Sequence, residues 1–211
     1  MLQELTVKGF AEELASNSPA PGGGSAAALA ASLGSALGAM VFNLTIGKKA
    51  YKEYAEDVKA LVDDSFNKAN AEKDEFIQLM DKDASEFLEL MAAFKLPKDT
   101  EEEKAVRAAK INEGYAKALE IPLLVAKKAF NIYSYIEVAA NYGNKNAISD
   151  AGVAALMIQT AIEGAVLNVK INLSSVEDEA YKQEVSNTCN KLVEDGIACK
   201  ERIMKIVNSK L

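Results

Sequence analysis

Histidine is absent from this 211-residue chain, and so is tryptophan. Without histidine there is no Ser-His-Asp triad, no Cys-His pair and no His-ligated zinc. Any proton transfer falls to Asp, Glu, Lys, Tyr, Cys or the substrate itself. Only two cysteines occur, Cys189 and Cys199. On one helix they stand about 15 Å apart, beyond the roughly 7 Å that a disulfide tolerates between Cα atoms. Neither has a metal-ligand spacing, so both read as small semi-buried thiols of a reducing compartment. A basic excess is lacking as well: 24 Lys and Arg stand against 31 Asp and Glu, a net charge of −7. With no clustered basic stripe to neutralise phosphates, nucleic acid is excluded as a partner. The leading MLQELTVKGFAEEL is amphipathic and acidic, without the charged lead and apolar run of a signal peptide, and a cytoplasmic protein is expected.

What is present is helical in pattern. Alanine carries much of the apolar content, which favours closely approaching helices over a sheet of β-branched residues. One domain over residues 1–211 is expected, an all-α bundle with long amphipathic helices around a buried Ala/Gly-rich one. Thr6 caps a short first helix, and the Pro/Gly stretch 19–24 breaks it. Ser25 then caps a second helix to about Ile46, closed by Gly47 with Lys48 and Lys49 at the negative end of its dipole. A long amphipathic segment follows, from about Ala50 to Phe94, with an apolar stripe that includes Tyr51, Tyr54, Leu61, Phe76, Met80, Phe87 and Met91. Thr100 to Glu103 reads as a capping box. Pro122 predicts a kink or a fresh start in the helix that follows, which fades at Ala140. Ser149 or Asp150 caps the next helix, to about Leu173, and a last one covers roughly Val176 to Asn208.

The second helix is uncharged for about the length a bilayer requires. Much of it is Ala, Gly and Ser, which add little transfer energy, and no second span is evident. Gly34 and Gly38 form G-x-x-x-G, a device for close helix approach. A central helix buried on all sides is therefore expected, not a membrane span.

Several residues are candidates for chemistry. Gly22, Gly23 and Gly24 precede Ser25 at a helix start, where backbone N–H groups can meet an anion or a flat ligand. A phosphate-binding Walker loop needs a Gly-Lys-Ser/Thr run and a preceding strand, and both are missing. Asp83 falls on the apolar stripe, seven residues after Phe76. A carboxylate there either caps neighbouring backbone or is a general acid/base with a raised pKa. Asn144, Asn146, Ser149 and Asp150 crowd one loop and helix start, more polar groups than one cap needs. Gly164, Asn168 and Asn172 recur at spacing four, so one helix face carries a slot and two amides that read a polar heterocycle or bond to neighbouring helices.

The stretches SPAPGGGSAAALAASLGSALGAMV, IGKKAY, DASEFLELMAAFKLPKDTEEEK, EIPLLVA and GNKNAISDAGVAALMIQTAIEGAVLNVKINL resemble the formiminotetrahydrofolate cyclodeaminase and methenyltetrahydrofolate cyclohydrolase family, in register from about residue 5 to residue 173. One departure is visible. The family loop resembles Gly-Asn-Pro-Asn, whereas here it reads Gly143-Asn144-Lys145-Asn146. The resemblance implies an all-helical homodimer acting on a folate one-carbon unit, with no metal and no cofactor beyond the tetrahydrofolate substrate. The expected reaction is closure of 5-formiminotetrahydrofolate to 5,10-methenyltetrahydrofolate with loss of ammonia. The alternative is hydrolysis of the methenyl compound to 10-formyltetrahydrofolate, and a catalytically silent helical dimer is the rival of another class. Both reactions pass over a carbon between N5 and N10 and need proton transfers. Asp83 and Asp150 are the candidate acid/base groups, with Asn144, Asn146 and Ser149 orienting the pterin and Gly22 to Ser25 letting it come close. Asn168 and Asn172 are further binding candidates. Lys48, Lys49 and Lys145 are placed to meet a glutamate tail, including a polyglutamylated one.

Overall fold

The computed structural model describes residues 1–211 and contains helices and no strand. Seven α-helices follow in order: α1 (Val7–Leu14), α2 (Gly23–Asn43), α3 (Lys49–Lys52), α4 (Glu56–Ala93), α5 (Glu101–Tyr142), α6 (Ile148–Leu173) and α7 (Glu179–Asn208). The expected all-α bundle is what forms. Thr6 opens α1 as anticipated, its hydroxyl accepting the Gly9 N–H at 3.0 Å. The Thr100 capping box also holds, with Thr100 Oγ1 accepting from Glu103 and the Glu103 carboxylate accepting from Thr100.

α2 is the central element and packs against α4, α6 and α5. Its small residues allow that crowding: Ala28, Ala31 and Ser35 are fully enclosed. A Cβ added at Gly34 would lie 2.9 Å from the Ile158 side chain and 3.2 Å from the Ala154 carbonyl, so α2 and α6 approach too closely for a larger residue. Gly38 is less demanding, since its Cβ would meet only Ile136 at an ordinary 3.8 Å. Around α2, one continuous core joins Phe42, Phe76, Met80, Ile132, Ile158 and Ile203. Each such side chain stabilises the fold by about 1.5–3 kcal/mol on burial.

Several boundaries differ from the sequence expectation. Gly22, not Ser25, is the N-cap of α2, and the helix ends at Asn43, three residues before Ile46. Gly47 does close the turn, with a φ of 78° that suits glycine. The segment from Ala50 to Phe94 is two helices, α3 and α4, and Leu61 points outward from the stripe. Ser149 and Asp150 do not cap α6 but lie in its first turn, preceded by a 3-10 turn over Lys145–Ala147 that Asn144 caps. α7 begins at Glu179, capped by Asp178. Cys189 and Cys199 share it as free thiols.

Pro122 does not restart its helix: α5 runs unbroken past it to Tyr142, two residues beyond Ala140. The physical reason lies on α6. Proline has no N–H to give the Ala118 carbonyl four residues back, and Asn172 Nδ2 donates to that carbonyl at 2.7 Å. A second correction concerns hydropathy. Two helical stretches, Gly23–Asn43 and Lys145–Leu173, are long and apolar enough to cross a membrane, not one. Both lie mostly buried against each other and their neighbours, so their apolar character is that of core helices.

Candidate active site

At the N-terminal end of α2 lies a cavity of about 300 Å³. Gly22, Gly23 and Gly24 form one wall, Asp83, Ala84 and Phe87 of α4 a second, Asn168, Ile171 and Asn172 of α6 a third, and Ala118 of α5 closes it. The glycines have unequal reasons to be there. A Cβ on Gly24 would fall inside the Asp83 carboxylate, one on Gly23 would lie 3.1 Å from Asn168 Nδ2, and one on Gly22 would meet nothing within 4 Å. Close approach of Asp83 and Asn168 to bare backbone thus explains the second and third glycine but not the first.

The amphipathic register of α4 carries Asp83 to this wall. Ser25 Oγ donates to Asp83 Oδ2 at 2.8 Å, and the Ser25 backbone N–H bonds the same carboxylate. Asp83 therefore serves a helix start supplied by a residue 58 positions away, while also lining the cavity. Burial pushes its carboxyl above the usual aspartate range, opposed by the Ser25 hydroxyl and N–H, which favour the charged form. A desolvated carboxyl beside an open cavity has both ingredients of a general acid/base, position and an adjusted affinity for protons.

The other polar candidates gather elsewhere. A second cavity, about 310 Å³, sits at the C-terminal end of α2 and is lined by Thr45, Lys48, Tyr54, Asn141, Gly143, Asn144, Lys145, Asn146 and Lys210 among others. No Asp or Glu lines it, so it is cationic in an acidic protein. Lys210 Nζ donates to the Ala140 and Asn141 carbonyls at the end of α5, and burial followed by the neighbouring Lys145 charge holds its pKa below the usual lysine value. Asn144 is heavily committed to local structure: its Nδ2 donates to the Leu44 carbonyl, its Oδ1 accepts from Asn146 N–H, and its own N–H donates to Thr45 Oγ1. Lys49 opens α3 nearby, while Ser149 and Asp150 do not line this cavity.

Within one chain, then, Asp83, Gly22 to Ser25, Asn168 and Asn172 come together, and Lys48, Asn144, Lys145 and Asn146 come together elsewhere. The length of α2 separates the two groups, about 30 Å at 1.5 Å per residue. Sequence reasoning missed Phe87 as a cavity wall, although it was on the apolar stripe, and Ile171, an exposed apolar residue beside Asn172. Tyr54 of the second cavity was also on that stripe, whereas Lys210 carried no local signal.

Residues 6–191 match the family model described as formiminotransferase-cyclodeaminase. The chain belongs to that family. It is 39% identical to the methenyltetrahydrofolate cyclohydrolase of Methylorubrum extorquens over 206 residues, covering 98% of this chain and 97% of that one. It is 37% identical to the chicken formimidoyltransferase-cyclodeaminase over 187 residues, which is 89% of this chain and 34% of that longer protein. The crystal structure of formiminotetrahydrofolate cyclodeaminase from Thermotoga maritima superposes with a TM-score of 0.85 at 25% identity, over 99% of this chain and 98% of that one. These are folate one-carbon enzymes, and this chain is an enzyme of that kind, a cyclodeaminase or a cyclohydrolase.

Proposed function

We propose that the chain is a methenyltetrahydrofolate cyclohydrolase that uses Asp83 as its acid/base group. The observation that carries the chemistry is the desolvated Asp83 carboxyl on the wall of the glycine-lined cavity. Its end-to-end likeness to the M. extorquens cyclohydrolase shifts the choice of reaction from the cyclodeaminase expected on sequence. The methenyl bridge is cationic, so a largely buried carboxylate attracts it more strongly than one in water would. Water adds to the bridge carbon as Asp83 takes its proton. The proton passes to N5 as the N5–C bond breaks, and the hydroxyl proton leaves as the formyl carbonyl forms on N10. One proton is released per turnover.

Cyclodeamination is the second reading, favoured by the likeness to the T. maritima cyclodeaminase structure. There N10 attacks the carbon of the protonated formimino group, the N10 proton moves to the leaving nitrogen, and the carbon–nitrogen bond breaks to release ammonia and the methenyl cation. The deciding experiment gives the enzyme each substrate separately. Loss of methenyl absorbance without ammonia is expected. Ammonia release from 5-formiminotetrahydrofolate at a higher kcat/KM reverses the order, and turnover of neither removes both.

The reading extends to a homodimer. α2 and α6 run side by side in opposite directions, and each leaves an apolar row outward: Leu33 and Met40 on α2 with Leu44 just past its end, Val153, Leu156, Leu167 and Ile171 on α6. Leu167 and Ile171 are 68% and 69% exposed, unusual for a row of large aliphatics on a lone subunit. A twofold axis across the middle of this face carries the lysine cavity of one subunit to the Asp83 cavity of the other. That arrangement brings Asp150, Ser149 and the loop amides near the pterin, and Lys48, Lys49 and Lys145 near its glutamate tail. A reducing cytoplasm suits the two free thiols. Leu167→Asp is expected to give monomers by light scattering and little turnover at dilute enzyme; active monomers count against the shared site.

A further inference from the structure

Two asparagines on the α6 wall of the Asp83 cavity are held differently. Asn168 Nδ2 donates to the Gly164 carbonyl at 2.9 Å, leaving one amide hydrogen and its Oδ1 uncommitted within the chain. Asn172 spends both hydrogens, on the Ala118 carbonyl at 2.7 Å and on the Asn168 carbonyl at 3.0 Å. Turning its amide over would set Oδ1 against two carbonyl oxygens, so the orientation is locked by the donor and acceptor inventory. Asn172 Oδ1 has no partner in the chain and is not enclosed, and the residue lines the cavity. The lock depends on α5. Ala118 is the residue whose carbonyl a helical N–H at position 122 would take, and Pro122 has none to offer.

We infer that Pro122 is a positioning residue: by leaving the Ala118 carbonyl to Asn172, it fixes Asn172 Oδ1 toward the cavity as an acceptor that selects an N–H donor of the bound pterin. The assignment rests on the folate reading above and deepens it. Asn168 offers the ligand a donor or an acceptor, whereas Asn172 offers an acceptor alone. A heterocycle with carbon or an acceptor atom facing Asn172 leaves that oxygen unpaired, which is how a polar site rejects a near-isostere.

The test measures dissociation constants for 5-formyltetrahydrofolate and two analogues of it. One carries methyl in place of the 2-amino group, the other CH2 in place of N8–H. Wild-type protein is expected to bind at least one analogue about tenfold or more weaker than the parent, the loss of one buried hydrogen bond. Pro122→Ala restores an N–H that competes for the Ala118 carbonyl, so that discrimination should shrink to within about threefold, with KM for the methenyl substrate raised and kcat held. A merely structural proline would move thermal stability and leave the selectivity alone. Asn172→Asp keeps an acceptor but has no donors for the two carbonyls, so it should lose discrimination in the same way. It carries the test if Pro122→Ala does not fold. Full discrimination in both variants, or equal binding of all three compounds by wild type, overturns the assignment. Failure of wild type to bind the parent compound at all removes the folate reading, and this assignment with it.

Discussion

The two ends of α2 are built from the same kinds of residue and do different things with them. At the N-terminal end, polar side chains are kept free of the backbone's needs or made to serve them while still facing a cavity. Asp83 bonds the Ser25 hydroxyl and N–H yet lines open space, and Asn172 anchors a carbonyl yet keeps its oxygen unpaired. At the C-terminal end the amide of Asn144 is consumed in holding the loop to α2, and what faces the second cavity is cationic: Lys48, Lys145 and Lys210. One end offers a desolvated proton carrier with directional acceptors. The other offers positive charge, the means to hold an anion without choosing its shape. A pterin with an acidic tail needs both, which is the case for reading them as two ends of one site shared across a dimer.

The largest effect should come from Asp83→Asn. The amide can still accept from Ser25, so the helix start is served, while proton transfer is lost. Turnover of the methenyl substrate is expected to fall by about 10²–10⁴-fold, the usual contribution of a general acid/base. Stability should behave oppositely. The folded carboxyl is raised above its unfolded value, so its contribution to stability is complete below the ordinary aspartate range and is lost as the pH rises through the folded value. Wild type should therefore lose stability relative to Asp83→Asn as the pH rises from the ordinary aspartate value through the raised folded one, read in thermal melts. Activity retained within a few-fold would make Asp83 a cap and nothing more.

The glycine turn supplies the next contrast inside the same end. Gly24→Ala places a methyl group within the Asp83 carboxylate and should displace it. A cost of about 1–3 kcal/mol in urea melts is expected, as for other overpacked sites, together with a fall in kcat. Gly22→Ala meets nothing within 4 Å and should leave both near wild type. Equal effects at the two positions would show that the turn is limited by backbone conformation and not by the carboxylate.

How much of this was legible in the sequence depends on whether the partner of each residue lay nearby in the chain. Thr6 with Gly9, and Thr100 with Glu103, are three residues apart, and both caps were visible. Periodicity also put Asp83 on the inner stripe of α4. The failures that bear on the site involve distant partners. Ser25 is not a cap because Asp83, far along the chain, claims its hydroxyl and N–H. Pro122 does not interrupt α5 because Asn172 on another helix bonds the carbonyl that proline leaves. The largest failure has the same origin: Asp83 and the Asn144–Asp150 segment were joined into one pocket by the resemblance, but the chain sets them at opposite ends of α2. No local pattern reports the length of a helix lying between two motifs.

The smallest expected effect probes the cationic end. Lys145 replaces the proline of the family loop and is exposed, so any ion pair it makes with a ligand carboxylate is worth about 0.5–1 kcal/mol. Lys145→Ala should therefore raise KM about 2–5-fold for a polyglutamylated substrate, with kcat unchanged because the lysine meets the tail and not the reacting carbon. The difference should fade as salt is raised, since exposed charges are screened over about 10 Å at 0.1 M. A monoglutamate substrate, with fewer carboxylates to place, should feel the change less. Removing Lys145 also removes the cation that, after burial, depresses the Lys210 pKa, so that pKa should move back up. A double variant of Lys145 and Lys48 should then exceed the sum of its parts only if both lysines meet the same tail. Strict additivity, with equal effects on mono- and polyglutamate, would assign the cavity to the stability of the loop and sever the two ends of α2 as parts of one site.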